Sequence, residues 1–195
     1  MTIAIDQLDA PAAASLRPGL TDLLVDAVAD GASVGFLHPL SPADADAYWS
    51  EVFNELAAGR RLLFVARDGN RVMGSVQLDI PARPNAAHRA EVQKLLVHTT
   101  ARRRGLGTML MSALEEAAAA RGRYLLVLDT RAGDAAGRLY EKLGYVRAGV
   151  IPGYARSSSG RLHGTAIYYR DLRDTDAHLL GDTDAAPRWD PEPML

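Results

Sequence analysis

The chain has 195 residues, 48% of them hydrophobic, and its 22 basic residues nearly balance its 24 acidic ones. This length favours one domain with a sizeable core, and the net charge of -2 argues against non-specific binding to nucleic acid or to an anionic membrane. The absence of cysteine excludes disulfides, cysteine-ligated metal sites and thiolate nucleophiles. The sequence has neither a membrane-spanning run of about 18 apolar residues nor a secretory signal, so we expect a cytoplasmic protein.

Hydrophobic periodicity and turn residues predict elements in the order ααβββαβαββ, which indicates a mixed sheet with helices on its faces. In chain order these are helices at 20–28 and 42–58, strands at 62–66, 72–80 and 90–97, a helix at 105–120, a strand at 124–128, a helix at 134–143, and strands at 145–150 and 165–170. The alanine-rich residues 1–15 contain Pro11 and are expected to form an irregular lead-in. The glycine-punctuated segment 31–37 is either a connector or a loop that faces a substrate.

The second predicted helix carries the clearest local signals. Ser41 suits its N-cap and Pro42 its first helical position. Trp49 and Phe53 recur at helical spacing with other apolar residues, which indicates core positions and not a binding surface.

A basic turn at residues 102–107, between a strand and a long helix, is the most informative stretch of the sequence. A helix N-terminus has unpaired N–H groups and a partial positive charge, so it binds anions. Gly105 and Gly107 allow the backbone to approach a phosphate closely, and the arginines at 102–104 add charge-assisted donors. The turn therefore predicts a phosphate or pyrophosphate site, the structural alternative being a solvated arginine run that caps the helix.

Two common nucleotide-binding loops do not fit this turn. A dinucleotide fingerprint needs a third glycine where Leu110 stands, and a Walker-type loop needs a Gly-Lys-Ser/Thr sequence that is absent. The pattern Arg-x-x-Gly-x-Gly at Arg102, Gly105 and Gly107 instead resembles the acyl-CoA pyrophosphate loop of the GNAT family of N-acetyltransferases. About thirty residues later, the segment from Ala136 to Tyr145 is similar to the second motif of that family, Ala-x-x-Leu-Tyr-x-Lys-x-Gly-Phe.

The resemblance implies the acyl-CoA N-acyltransferase (GNAT) fold, an α/β domain whose mixed, mostly antiparallel sheet is flanked by helices. We expect this single domain over residues 1–173, followed by an acidic, proline-containing and poorly ordered tail at 174–195. The implied activity is transfer of an acetyl group from acetyl-CoA to an amine. No metal is expected, because the histidines at 88, 98 and 163 lack metal-ligand spacing.

The resemblance also implies a set of residues that bind acetyl-CoA. They are Leu95, Leu96, Val97, Arg102, Arg103, Arg104, Gly105, Leu106, Gly107, Thr108, Gly133, Ala136, Tyr140 and Lys142. The amides of Leu96 and Val97 are expected to align the pantetheine arm as an added strand and to polarise the acetyl carbonyl. Gly133 departs from the family pattern, because many members carry an asparagine there that contacts the pantetheine arm.

Three residues are the candidates for catalysis. Glu91 stands where many members keep a general base, and Asp129, at the carboxyl end of a strand, is expected to share that duty or to bind the substrate ammonium. Tyr140 stands where the family has a tyrosine that protonates the leaving thiolate. The structural alternatives are a strand-edge charge for Glu91, a turn cap for Asp129 and a packed ring for Tyr140. Without cysteine no acetyl-cysteine can form, so we expect direct attack in a ternary complex, a serine relay being the less simple alternative.

Segments outside the cofactor motifs resemble the tabtoxin-resistance acetyltransferases, a GNAT subgroup that acetylates a small amino-acid-like toxin. These segments are 31–36, 89–95, 160–163 and 165–168. The expected substrate-site residues are Phe36, Glu91, Asp129, Tyr154 and His163, with Tyr154 in a loop that closes over the substrate and His163 either in the pocket or in a turn. We expect a small amine as acceptor, and the resemblance implies a homodimer as a candidate assembly, because the family often forms dimers. A non-catalytic CoA sensor and an anion- or nucleotide-binding module are the rival functions.

Overall fold

In the computed structural model, which describes residues 3–173, a seven-stranded sheet lies between two groups of helices. The strands are β1 (Ala4–Leu8), β2 (Arg61–Asp68), β3 (Arg71–Asp79), β4 (Arg89–Val97), β5 (Leu125–Arg131), β6 (Val146–Arg156) and β7 (Leu162–Asp171). The helices are α1 (Ala10–Ser15), α2 (Arg17–Ala29), α3 (Pro42–Ala57), α4 (Leu106–Ala119) and α5 (Ala135–Lys142). The expected mixed sheet with flanking helices is confirmed, and the proposed tail at 174–195 lies outside the described residues.

The sheet changes strand direction once, and the change creates an opening. The strand order is β1-β2-β3-β4-β5-β7-β6, and every neighbouring pair is antiparallel except β4 and β5. The parallel pair is short, because its register runs only from Arg89 opposite Leu125 to Glu91 opposite Val127. Beyond Glu91, β4 continues alongside β3 while β5 continues alongside β7 as far as Arg131. A gap between β4 and β5 follows from this divergence.

Each face of the sheet has its own hydrophobic core. On one face α4 and α5 bury residues such as Leu110 and Leu114, and on the other α1, α2 and α3 bury residues such as Leu24 and Trp49. The Trp49 indole donates a hydrogen bond to the Leu20 carbonyl (2.9 Å), so its polar atom is satisfied within the core. The expected core positions of Trp49 and Phe53 are confirmed. None of the helices in residues 3–173 has the length and apolar character needed to cross a membrane.

The prediction of an irregular lead-in over the first fifteen residues is wrong, because this segment forms β1 and α1. β1 pairs antiparallel with β2, and Asp6 accepts a hydrogen bond from Arg67 Nε (2.6 Å). Asp9 caps α1 by accepting from the Ala12 amide (2.8 Å), and Ala13 is fully buried. The strand depends on pairing with a segment far away in sequence, and so short a strand shows too little alternation to be recognised alone.

Candidate active site

The loop before α4 presents backbone amides and exposed arginines. Gly105 takes the left-handed conformation (φ 78°) as the N-cap of α4 and offers no side chain. The Met109 amide donates to the Gly105 carbonyl (3.0 Å), so the amides of residues 106–108 lie before the first helical hydrogen bond. Leu106 anchors this end of the helix in the core, while Thr108 is exposed, as are Arg103 and Arg104. The arrangement is suited to an anion, with donors supplied by the backbone and positive charge by the side chains.

Acidic residues of α2 hold the start of this loop. Asp26 accepts hydrogen bonds from both the amide and the hydroxyl of Thr99 (2.8 Å each). At the C-cap of α2, Asp30 forms an ion pair with Arg102 (Oδ2 to Nη2, 2.6 Å). The guanidinium of Arg102 therefore fixes the loop on α2, a contact that the sequence pattern did not indicate.

The gap between β4 and β5 exposes one edge of β4 beside this loop. The His98 amide donates to the Met73 carbonyl of β3 (2.9 Å), and neighbouring amides of a strand point to opposite edges. The Val97 amide therefore points into the gap, whereas that of Leu96, opposite Ser75, points toward β3. Of the two amides expected to align a pantetheine arm, that of Val97 is the better placed. Leu96 contributes a buried side chain and Leu95 a half-buried one.

The second motif places α5 beside the start of α4. A Cβ added to Gly107 would lie 3.0 Å from Cδ2 of Leu139, so this glycine also serves the close approach of the two helices. Gly133, in the turn before α5, has φ 88°, a conformation that glycine and asparagine adopt most readily. Ala136 is half-buried and Lys142 is exposed in the last turn of α5.

Tyr140 is buried where α5 packs on the sheet. Its ring centroid lies 5.8 Å from that of Tyr145 and 6.0 Å from that of Tyr168. Burial raises the pKa of the Tyr140 phenol, and the negative charge of Asp129 raises it further. The phenol is therefore protonated at neutral pH, which is the state that a proton donor requires.

The two candidate carboxylates lie on one face of the sheet. Glu91 is opposite Val127, and Asp129 is two residues further along β5, so their side chains project to the same side. From strand spacing and rise, their Cα atoms are about 8 Å apart. Glu91 is half-buried and accepts a hydrogen bond from Gln93 Nε2 (3.1 Å), whereas Asp129 is exposed.

Lys94 lies beside these carboxylates, and the sequence analysis did not select it. It occupies an irregularity in the register between β3 and β4 and has φ 50°, which is rare for a residue with a side chain. Burial lowers the pKa of Lys94 and Arg61 lowers it further, while Asp129 and Glu91 act in the opposite direction. The signal in the sequence is the break in alternation after Gln93, where three consecutive apolar residues follow the lysine.

A buried polar network lies next to Lys94 on the same side of the sheet. Gln77 is fully buried, donates to the Tyr48 hydroxyl (2.9 Å) and accepts from Arg61 (2.8 Å). The ring of Tyr48 contacts that of Phe36 edge to face, with centroids 5.3 Å apart, and lies 5.8 Å from Nζ of Lys94. The α2–α3 loop is thereby joined to the polar face of the sheet, so the interpretation of 31–37 as a mere connector does not describe it.

A cavity of about 490 Å³ opens between the α2–α3 loop and the β6–β7 connection. Phe36 lines it together with Arg131, which follows Asp129 by two residues on β5. The Arg131 side chain donates to the Gly31 carbonyl (Nη2 to O, 3.2 Å) and so holds the loop against the sheet. Arg131 is a second residue of this region that the sequence analysis missed, although its spacing from Asp129 places both on one strand face.

Tyr154 and His163 lie in strands, which corrects the expected loop for Tyr154 and excludes the turn alternative for His163. Tyr154 is 60% exposed within β6, in the irregular stretch between Ile151 and Ala155, and not in a loop. Pro152 and Gly153 had suggested a loop, but an edge strand tolerates proline because its outer side needs no ladder hydrogen bonds. His163 is half-buried in β7 opposite Ala155, so it is not a turn residue.

Ser33 stands in the sequence pattern of a nucleophile elbow but not in the strand-to-helix turn that such an elbow requires. Residues 31–35 match Gly-x-Ser-x-Gly, but an elbow requires a sharp turn from a strand into a helix. Here the segment joins α2 to α3, and Ser33 lines the cavity. Within residues 3–173, no group of three or more His, Asp and Glu side chains is arranged to hold a metal ion.

Comparisons with solved structures agree with the observed sheet and helices. An N-acetyltransferase from Staphylococcus aureus Mu50 superimposes with a TM-score of 0.73 at 20% identity, covering 88% of this chain and 99% of that one. A Salmonella typhimurium protein solved with its cofactor acetyl-CoA superimposes with a TM-score of 0.70 at 20% identity, covering 97% and 100% of the two chains. At this level of identity the likeness establishes the GNAT fold.

The sequence comparisons establish the family. The chain is 35% identical over 131 residues to an uncharacterized N-acetyltransferase in the hisH-hisA intergenic region of Azospirillum brasilense. The matched segment covers 66% of this chain and 76% of that protein. Residues 25–145 match the Acetyltransferase (GNAT) family. This range includes α4, the strands β4 and β5 on either side of the gap, and the second motif. The chain therefore belongs to the GNAT family of N-acetyltransferases.

Proposed function

We propose that this enzyme transfers an acetyl group from acetyl-CoA to the amine of a small amino-acid-like acceptor by direct attack within a ternary complex. The observation that carries the proposal is the gap between β4 and β5. The start of α4, to which we assign the pyrophosphate, follows the end of β4 at one end of the gap, and Glu91 and Asp129 lie near its other end. A thioester donor and an amine acceptor need these two environments next to each other.

The residues around the gap fit acetyl-CoA. The amides of residues 106–108, with Arg103 and Arg104, would hold the pyrophosphate, and the Val97 edge of β4 would hold the pantetheine arm as an added strand. When bound, acetyl-CoA supplies the activated thioester. The amide of Val97 would then donate to the acetyl carbonyl and withdraw electron density from it.

Glu91 and Asp129 would manage the proton of the acceptor. An amine arrives as an ammonium ion and must lose a proton before it can attack, so a carboxylate near the gap serves as the base, directly or through water. We assign this role to Glu91, with Asp129 sharing it or binding the ammonium. The ammonium group of Lys94 interacts with both carboxylates and would offset part of their negative charge.

Tyr140 would supply the proton that the departing thiolate needs. Burial and the charge of Asp129 raise the pKa of its phenol and keep it protonated, so at neutral pH it can give a proton to the thiolate and does not take one up. The carboxylates and Tyr140 therefore have opposite duties, one removing a proton from the nucleophile and the other adding one to the leaving group.

For the acceptor we propose a small toxin-like or antibiotic-like amino acid, as in the tabtoxin-resistance subgroup. The support is the resemblance of segments 31–36, 89–95, 160–163 and 165–168. The first of these belongs to the α2–α3 loop, which lines the cavity, and the others belong to β4, to the end of the β6–β7 connection and to β7. Since acetyl-CoA is made and used inside cells, we also propose that the enzyme acts in the cytoplasm.

We further propose a homodimer formed through β6. This edge strand exposes several large apolar side chains that the other described residues of one copy leave uncovered, namely Val146, Val150, Ile151 and Tyr154. An unpaired strand edge with apolar side chains favours association with another copy. Light scattering after size exclusion should give twice the chain mass, and Ile151→Lys should give the single mass; a wild-type monomer would contradict the proposal.

The activity is tested by release of free thiol from acetyl-CoA in the presence of small amines and amino acids, with mass spectrometry of the product. Acetylation of at least one amino-acid-like acceptor is expected. Tight binding of acetyl-CoA without turnover of any acceptor would favour a CoA sensor instead. Salt-sensitive binding of nucleic acid that competes with no CoA compound would favour an anion-binding module.

A further inference from the structure

The charged residues that line the cavity beside the α2–α3 loop, among those described, are all basic. The described residues that line it include Arg131 and Arg156 and four serines, at 33 and at 157–159, but no acidic residue. Its volume of about 490 Å³ is that of a small-molecule site. Two guanidinium groups and several hydroxyls around one cavity favour an anionic ligand, because arginine donates in pairs to carboxylate oxygens.

The side chain of Arg131 is held in position, and its ion pair with Asp134 is a long one. One terminal nitrogen is fixed by the Gly31 carbonyl (3.2 Å), whereas Nε is buried and has no hydrogen-bond partner among the described residues. The Asp134 carboxylate approaches Nε only to 4.0 Å. A buried N–H without a partner costs free energy, so a small shift of the side chain that brought this group to a ligand oxygen would be stabilising. Arg156, which also lines the cavity, is exposed and donates to the Gly160 carbonyl (3.3 Å).

Strand geometry connects this cavity to the reacting groups. Arg131 follows Asp129 by two residues on β5, so the two side chains lie on one face with Cα atoms roughly 6–7 Å apart. The first side chain attracts an anion and the second attracts an ammonium ion. A molecule that carries both groups a few bonds apart would contact both side chains at once.

We propose that Arg131, assisted by Arg156, binds the carboxylate of the acceptor, so that the substrate class is amino acids and close analogues with a free carboxylate. This inference rests on the proposed acetyltransferase activity. The carboxylate orients the molecule, and the amine is thereby directed toward Glu91 and Asp129 at the gap. Phe36, which also lines the cavity, would contact the side chain of the acceptor.

The test compares each acceptor with a partner that lacks the negative charge. Amino acids that are turned over are assayed beside their carboxamides and the corresponding decarboxylated amines, with kcat and KM measured by thiol release. The wild-type enzyme should prefer the free carboxylate by at least about tenfold in kcat/KM. Arg131→Gln should remove this preference by raising KM for the amino acid, with little effect on KM for acetyl-CoA.

Arg121→Gln is the matched control, because Arg121 is exposed at the far end of α4 and should change neither preference nor KM. Circular dichroism establishes folding. If Arg131→Gln fails to fold, Arg131→Lys and Arg156→Gln make the same comparison, with the preference reduced in each.

Three outcomes are distinguishable. Equal turnover of an amino acid and its amide would overturn the carboxylate site and leave the acetyltransferase proposal intact. A rise in KM for acetyl-CoA alone in Arg131→Gln would assign the arginine to the cofactor and also overturn the inference. Failure of every amine to react, with acetyl-CoA bound, would overturn the proposed function itself.

Discussion

The proposed cofactor side and the proposed acceptor side of the gap are built in different ways. The cofactor side consists mainly of one continuous stretch, residues 95–108, completed by α5. The acceptor side brings together the α2–α3 loop, β4, β5 and the β6–β7 connection, which are separated by tens of residues. A phosphate needs only backbone amides and a few arginines, and a short segment can supply them. An acceptor needs charges of both signs at set distances, and only the folded sheet supplies those.

The comparison predicts that the two sides can be damaged separately. The largest effect is expected for the double variant Glu91→Gln with Asp129→Asn. Removal of both proton acceptors should lower kcat by about 10²- to 10⁴-fold, while the dissociation constant of acetyl-CoA, measured by calorimetry, should stay unchanged. Glu116→Gln, on the exposed side of α4, is the control and should have no effect. Equal loss of acetyl-CoA binding in the double variant would mean that the two sides are not separable. The single variants show which carboxylate is the principal base.

Tyr140→Phe should have the next largest effect and tests the group between the two sides. Loss of one proton donor should lower kcat by about 10²-fold with little change in the affinity for acetyl-CoA. Because burial and Asp129 raise the pKa of Tyr140, the phenol stays protonated above its ordinary range. The wild-type advantage over the variant should therefore persist to pH 10 in a pH–rate profile.

Tyr168→Phe is the matched control for that variant. Its ring lies in the same aromatic cluster, but its hydroxyl donates to Glu141 (3.2 Å). A comparable loss of kcat in both variants would indicate packing and not proton donation. A wild-type rate that falls to the variant's rate below pH 9 would contradict the raised pKa.

Gly105→Ala tests the cofactor side and should have a moderate effect. Gly105 has φ 78° with nothing within 4 Å of an added Cβ, and so does Gly122 beyond the other end of α4, at φ 69°. Both alanine variants should lose about 1–2 kcal/mol of folding stability from the left-handed conformation. Only Gly105→Ala should also raise the dissociation constant of acetyl-CoA, by about tenfold, because the helix start moves to relieve that strain and about 1.4 kcal/mol of binding free energy corresponds to tenfold. Equal acetyl-CoA affinity in the two variants would remove the anion site from the α4 N-terminus.

The smallest effect is expected for Asp30→Asn, which breaks the ion pair with Arg102. The two side chains are 44% and 43% exposed, so the pair contributes less than about 1 kcal/mol. Thermal unfolding should shift by a few degrees at most, and KM for acetyl-CoA by less than about threefold. A tenfold change would show that Arg102 is positioned for the phosphate by this carboxylate.

Much of the fold follows from local patterns, but the acceptor side does not. Long amphipathic elements such as α3 and α4 are signalled by periodicity and caps, and residues 102–107 form a candidate anion site whose parts are adjacent in sequence. β1 escaped prediction because its stability comes from pairing with β2. Lys94 and Arg131 were not predicted as site residues, because the sequence around a charged residue in a strand does not indicate which groups it contacts in the folded protein. Their roles depend on a bulge and on the approach of the α2–α3 loop, which are tertiary features.

The end of α2 joins the two sides in a way that concerns the order of events in catalysis. Asp30 binds Arg102 of the cofactor loop, and the carbonyl of the next residue, Gly31, binds Arg131 beneath the cavity. Since the two residues are consecutive, a ligand that draws Arg102 away also moves the partner of Arg131. We expect such a shared anchor to couple the affinities of the two substrates only weakly, in line with the small effect of Asp30→Asn, and linkage makes that coupling reciprocal. The factor by which acetyl-CoA changes acceptor binding then equals the factor by which the acceptor changes acetyl-CoA binding, whichever of them binds first.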